Sequence, residues 1–266
     1  VEKNYKLTIA YKGTDYSGWQ VQPCQRTVQE MVEETFKSMF KSEIKLSASG
    51  RTDAGVHALA QVANFRSEVK IPPEKLVQAL NTKLPGDIRI KDCSIMDEEF
   101  HSRYSAIGKT YLYYIYNSRI NSPFWKDFSY MVPYSLDFDK MTLAAEGFKG
   151  EHNFLGFMST GSSVKDTVRT ILDIKLQKHD NMIIMEITGN GFLYNMVRII
   201  AGTLIDIGRG RIPAEDIKEI IDSKDRNRGG HTAKANGLFL KRVYYKEEEI
   251  FQCTSKKTLD TLGSLL

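Results

Sequence analysis

SASGRTDAGVHALAQVANF, residues 47–65, is the stretch on which the reading of this chain turns. From Ala58 it runs into an apolar segment that reads as a strand to Arg66, and the segment before it, EIKLSAS (43–49), reads as another. Between them Gly50 and Gly55 bracket Arg51 and Asp53, with His57 just beyond. Two strands across a glycine-marked loop are a local pair. The fold depends on what stands on either side.

Upstream, YKLTIAYKG alternates as a strand does, and TVQEMVEETFKSMFK carries apolar residues at helical spacing, with Thr27 and Glu30 set as a capping box. Downstream, PPEKLVQALNTKL opens on a proline pair that suits a first helical turn, and DIRIKDCSIM closes as a strand. The order is β-α-β-β-α-β, the ferredoxin-like arrangement. The second half repeats it. KTYLYYIYN is an aromatic strand, and the stretch around FDKMTLAAEGFKG is a helix. VRTILDIKLQKHD and NMIIMEITGN are strands turned at His179-Asp180-Asn181. FLYNMVRIIAGTLIDIGRG is a long helix ending at glycine, PAEDIKEIIDS a short one, and GLFLKRVYY the last strand.

The expected fold is therefore α+β. Two ferredoxin-like βαββαβ halves, 1–104 with Asp53 and 105–266 with a C-terminal extension, join into one mixed, mainly antiparallel sheet. The helices lie on one side, and an active-site cleft forms at the seam.

Bulk properties bound the function. Of 266 residues, 41% are hydrophobic and 26% charged, an ordinary balance for a folded domain. No apolar run reaches the roughly 18 to 20 residues that span a bilayer. VEKNYKLTIAYKG at the start reads as a charged segment and a strand rather than a secretory leader. Cys24, Cys93 and Cys253 lie far apart with no zinc spacing, which fits reduced thiols in a cytoplasmic protein. Net charge is only +4, but arginines gather in IGRGRI and DRNRGG. Basic residues on glycine-rich turns can approach a phosphate backbone closely, though a solvated surface accounts for them equally.

Residues i and i+2 of an extended segment point the same way, so Arg51 and Asp53 can face one pocket. A neighbouring cation favours the ionised carboxylate, which suits nucleophilic attack or charge stabilisation. An aspartate that caps a turn, bonded to Arg51, accounts for the same residues.

The motifs resolve this. GRTDAGVHA, from Gly50 to Ala58, resembles the signature of the TruA-type tRNA pseudouridine synthases. Other marks of that family follow in order: YKGTDYSGWQVQ, FHSRYSA, KTYLYYIYN, EHNFLGF then VRTI, NGFLYNMVRIIAGTLIDIGRGR and TAKANGLFL. The resemblance runs from about Tyr5 to Tyr245 and leaves out only the Lys-, Ser- and Thr-rich end.

It implies isomerisation of uridine to pseudouridine in tRNA, without metal or organic cofactor, by a homodimer in the cytoplasm with the RNA spanning both subunits. The substrate implied is the anticodon stem-loop, with a uridine at about nucleotides 38 to 40 extruded into the enzyme. The family's essential aspartate falls on Asp53. It attacks C1′, stabilises charge there, or deprotonates C2′. All routes need a pocket that excludes water. The active-site tyrosine falls on Tyr111, which would stack on the base and serve proton transfer from C5. Tyr113 shares its face by alternation, and the choice between them rests on the resemblance. The basic partner of the aspartate falls on Arg198, and an arginine in an apolar helix is costly to bury unpaired. Arg51 is then left to wedge into the RNA. Leu193 and Met196 supply apolar walls, and Arg209, Arg211, Arg226, Arg228 and His57 are RNA-contact candidates, although a loop-fixing hydrogen bond suits His57 better. His152 and His231 flank basic or glycine-rich loops.

Two readings from other classes compete. A non-catalytic pair of RRM-like units shares the element order, but KTYLYYIYN lacks the Gly-aromatic pattern of an RNA-binding strand. An aspartyl-phosphate phosphatase needs a second carboxylate near Asp53 for magnesium, and the motif holds none.

Overall fold

The computed structural model describes residues 1–41, 43–161 and 164–254. The chain divides into two compact units, Val1–Ala106 with Phe239–Tyr245, and Ile107–Leu238 with the residues from Lys246 on.

In the first unit β1 (Lys3–Tyr11) lies between β3 (His57–Ser67) and β4 (Ile88–Met96), antiparallel to both. Alternation along β1 turns Tyr5, Leu7, Ile9 and Tyr11 to one buried face. Two helices supply the matching apolar stripes. In α1 (Val28–Phe40) these are Val28, Val32 and Phe36, and in α2 (Pro73–Lys83) they are Leu76 and Leu80. Phe36 meets the edge of Phe65, which in turn stacks on Tyr5 at 5.1 Å between ring centres. Burying each of these large side chains stabilises the unit by about 1.5 to 3 kcal/mol.

Two expectations fail here. Thr27 precedes α1 but makes no capping bond, and its buried hydroxyl has no partner. The first two helical N–H groups, of Val28 and Gln29, already donate to the carbonyls of Gly18 and Trp19. The strand expected over 43–49 shrinks to β2 (Ser47–Ala48). The Leu46 N–H donates to Glu33 Oε1 of α1, and its carbonyl accepts from Gln29 Nε2, so its backbone groups serve the helix instead of a ladder.

In the second unit the sheet order is β5 (Gly108–Asn117), β9 (Met182–Gly189), β8 (Val168–His179), β7 (Gly150–Asn153), with a short β6 (Tyr130–Val132) parallel to β5. The β8–β9 turn falls where it was expected, with Asp180 at φ +50°. Helices α3 (Phe138–Glu146), α4 (Met196–Gly208), α5 (Ile217–Ser223) and α6 (Glu247–Thr254) complete it. Every residue of α4 except Arg198 is buried, the pattern of a helix enclosed by its own unit. The helix begins at Met196 rather than at the aromatic run before it, because Asn195 takes a left-handed conformation at φ +61°.

Strand β10 (Leu238–Tyr244) ends the described sheets, and nearly all of it belongs to the first unit. It pairs in parallel with the start of β3, Phe239 opposite His57 and Leu240 opposite Ala58. The short β2 takes the same edge of β3 further on, at Ala63 and Asn64. The range 105–266 expected for the second half thus differs from the compact unit at residues 105–106 and at 239–245, the latter because a strand is assigned by its pairing partners and not by its place in the chain. Residues 255–266, where the resemblance stops, lie outside the described residues.

Candidate active site

The first unit carries Asp53 on a loop, residues 49–56, that is held on nearly every side. Trp19 N–H donates to the Thr52 carbonyl (3.1 Å), and Gly55 N–H donates to the Tyr16 carbonyl (3.3 Å). The Tyr11 and Thr52 hydroxyls are 2.7 Å apart. Burial, the leading cause, pushes the Tyr11 phenol far above its ordinary range, so it stays protonated and able to donate. Gln61, a polar side chain wholly buried in β3, donates to the Gly50 carbonyl (2.9 Å) and accepts from Ser49 Oγ (2.8 Å). The Asp53 main-chain carbonyl closes the turn by accepting from Val56 N–H at 3.1 Å.

Two glycines let the neighbouring segment approach this closely. A side chain on Gly13 would overlap the Val56 carbonyl, and Gly18, at φ +90°, would place a Cβ 2.5 Å from the Thr52 carbonyl oxygen. The segment YKGTDYSGWQ is therefore a clamp on the Asp53 loop. Asp53 itself is half-buried, while Arg51 is exposed and makes no hydrogen bond or ion pair among the described residues. The arrangement of Arg51 holding Asp53 is absent.

His57 leaves the RNA-contact set. It is 1% exposed, its ring stacks on Phe239 at 4.6 Å, and its Nδ1 accepts from Gly13 N–H at 3.0 Å. The loop-fixing role is the one it occupies.

The second unit places Tyr111 on β5, 9% exposed, with its ring edge-on to Phe192 at 5.2 Å. Tyr113, two residues on, is fully buried and donates its hydroxyl to the Lys234 carbonyl at 2.6 Å. Its ring and hydroxyl are thus both committed to packing, which alternation alone does not reveal. Arg198 stands in the first turn of α4. Its Nε donates to the Ala233 carbonyl (2.8 Å), its Nη1 donates to Asn195 Oδ1 (2.7 Å), and its own carbonyl accepts from Ala233 N–H (3.1 Å). These bonds fix the guanidinium plane against the TAKANGLFL segment.

The remaining candidates separate by burial. Met196 presents no surface and Leu193 almost none, with the Met196 sulfur accepting from Leu193 N–H, so both pack inside the unit and neither is an open wall. Arg209 lies over the Tyr134 ring at 3.8 Å, its side chain 17% exposed. Arg226 donates to the Gly230 carbonyl and Thr232 Oγ1, tying down the glycine-rich turn. Those two arginines build the surface instead of standing on it. Arg211 and Arg228 are exposed, the first paired with Asp206 at 3.6 Å and the second with Glu219 at 2.9 Å. His152 bonds the Lys149 carbonyl, and His231 bonds the buried Asp206 at 2.8 Å. Among the described residues, no three His, Cys, Asp or Glu side chains gather as a cation cage.

Tyr11, Thr52 and Gln61 were not among the candidates. The available signals were a glutamine inside an apolar strand and two glycines set five apart in YKGTDYSGWQ.

A clamped loop presenting one carboxylate, in an α+β chain of mainly antiparallel strands, matches a known class. The family model described as tRNA pseudouridine synthase fits residues 7–105 and 144–246, and the chain belongs to that family. It is 49% identical over 243 residues to tRNA pseudouridine synthase A of Acetivibrio thermocellus, covering 91% of this chain and 100% of that one. To the protein of the same name in Ruminiclostridium cellulolyticum it is 47% identical over 244 residues, with the same coverage, and to that of Caldicellulosiruptor bescii 47% over 243.

Proposed function

We propose that the chain isomerises uridine to pseudouridine in the anticodon stem-loop of tRNA, with Asp53 as the reacting carboxylate. The observation that carries this reading is the GRTDAGVHA loop itself, immobilised from Ser49 to Val56 around one half-buried aspartate in a chain of this family. The reaction breaks the N1–C1′ bond, turns the uracil over, and joins C5 to the same carbon. The C5 proton is lost and N1 gains one, so the product is an isomer of the substrate and no redox partner enters. A carboxylate serves either route, by attack at C1′ or by removal of the C2′ proton, and a fixed loop spares it reorganisation as charge develops.

Tyr111 is the aromatic that stacks on the extruded base and takes part in proton transfer at C5, and Arg198 is the cation that keeps the aspartate ionised. Preference for Tyr111 over Tyr113 is supported by the Tyr113 hydroxyl being engaged with Lys234. Arg51, exposed and unbonded, is suited to fill the gap that an extruded base leaves. The enzyme acts as a homodimer in the cytoplasm, and no described helix is long and apolar enough to cross a membrane. The test is tritium release from tRNA carrying 5-tritiated uridine, followed by mapping of the modified nucleotides. Release with pseudouridine in the anticodon stem-loop is the result expected. Absence of release from every tRNA would refute the reading.

A further inference from the structure

The turn after β4, within FHSRYSA, is fixed more firmly than a surface loop requires. The His101 carbonyl accepts from Ser105 N–H (2.9 Å), and Ser105 Oγ accepts from His101 N–H (3.1 Å). His101 Nδ1 accepts from the backbone N–H of Arg103 (3.1 Å) and of Tyr104 (3.4 Å). Ser102, fully buried, anchors the turn to its unit. Its N–H donates to Asn64 Oδ1 (2.9 Å), its hydroxyl donates to the Ser47 carbonyl, and its own carbonyl accepts from the Tyr245 hydroxyl (2.8 Å).

This built turn holds Tyr104 out in solvent, 77% exposed. The His101 ring lies beside it at 4.5 Å, and the Arg103 guanidinium lies over it at 5.7 Å. A single exposed aromatic is ordinary. The charges around it are not. Elsewhere in this unit Arg26 bonds the Tyr16 hydroxyl, Arg66 the Glu98 carbonyl and Arg89 the Pro85 carbonyl. Arg103 and Arg51 alone among these five have guanidiniums that make no hydrogen bond or ion pair with the described residues. The turn that carries Arg103 is tied through Ser102 to Ser47, at the foot of the loop that carries Arg51 and Asp53.

We propose that Tyr104 and Arg103 form a stacking platform for an unpaired nucleotide of the RNA substrate, with the base on the tyrosine ring and a phosphate on the guanidinium. The inference rests on the reading that tRNA is the substrate. An exposed guanidinium without an ion-pair partner beside an open aromatic face fits a single-stranded nucleotide, which offers both a π-face and a negative charge.

The experiment measures tRNA affinity by filter binding, and tritium release, for the wild type, Tyr104→Ala, Tyr104→Phe, Tyr104→Trp and Arg103→Ala, each checked for an unchanged melting temperature. Stacking of one base predicts that Tyr104→Ala weakens tRNA binding by about 5- to 150-fold, with the loss in KM. Phe and Trp restore affinity to within about 2-fold of the wild type, and Arg103→Ala lowers the salt slope of binding by about one phosphate. A wild type that neither binds tRNA nor releases tritium overturns the substrate reading. An active wild type whose affinity is unchanged by Tyr104→Ala, or equally lowered by Tyr104→Phe, overturns the platform.

Discussion

The hydroxyls of Tyr11 and Thr52, 2.7 Å apart and both buried, tie the first strand of the fold to the residue immediately before Asp53. The bond links the element that organises the sheet to the loop that presents the carboxylate. Tyr11→Phe removes it and leaves the Thr52 hydroxyl buried without that partner. The predicted cost is about 1 to 3 kcal/mol in stability. Because a displaced reacting group loses rate without losing substrate contacts, kcat falls by roughly 10-fold while tRNA affinity stays within about 2-fold. Chemical denaturation and steady-state tritium release measure the two effects separately.

Gly18 makes a sharper structural prediction. Gly18→Ala puts a Cβ against the Thr52 carbonyl at a backbone φ of +90°, so strain and overlap act together. A loss of about 1 to 3 kcal/mol follows, seen as a fall of several degrees in Tm. Gly86, where a Cβ would meet nothing within 4 Å, serves as the control, and Gly86→Ala should leave Tm nearly unchanged.

Arg198→Met tests the basic group of the second unit. The Ala233 carbonyl and the Asn195 amide oxygen each lose a donor, which costs about 1 to 3 kcal/mol. Activity is predicted to fall more than about 100-fold while circular dichroism shows a folded chain, a far larger loss than the Tyr11 variant suffers. Near-normal turnover by Arg198→Met would assign the arginine to structure alone.

The cysteines offer a test of the first unit's packing. Burial, first among its causes, pushes the Cys93 thiol up to about 12, whereas Cys24 is exposed. Alkylation requires the thiolate, and a raised pKa keeps the folded-state thiol protonated below it. At pH 8, iodoacetamide should therefore modify Cys24 in the native protein and reach Cys93 only after unfolding. Mass spectrometry of the digested protein reads both sites.

How much of this was legible in the sequence varied with the range of the interaction. The strand β1 and the helix α1 were readable because Tyr5, Leu7 and Ile9 alternate and Val28, Val32 and Phe36 recur at helical spacing, both local signals. The Thr27–Glu30 box does not form, and the start of α1 is held instead by the Val28 and Gln29 N–H groups on the Gly18 and Trp19 carbonyls, bonds that a local motif cannot register. Strand β10 was recognised as a strand, yet its pairing with β3 nearly two hundred residues away is a tertiary choice. The basic turns were the least readable part. The same Arg-Gly spacing describes an exposed guanidinium paired with a carboxylate, as at Arg211 with Asp206, and one laid on a tyrosine ring, as at Arg209. Asp53 was legible because its loop is written in one continuous motif, whereas the clamp around it is split between residues 11–19 and Gln61.

The central claim is that Asp53 performs the chemistry and that its loop exists to hold it. Asp53→Asn keeps the shape of the side chain and removes only its charge, so the measurement is tritium release from 5-tritiated uridine in tRNA under single-turnover conditions, with tRNA binding followed in parallel. The account predicts no detectable release from the asparagine variant together with tRNA affinity close to that of the wild type. Release at a rate near that of the wild type would contradict it.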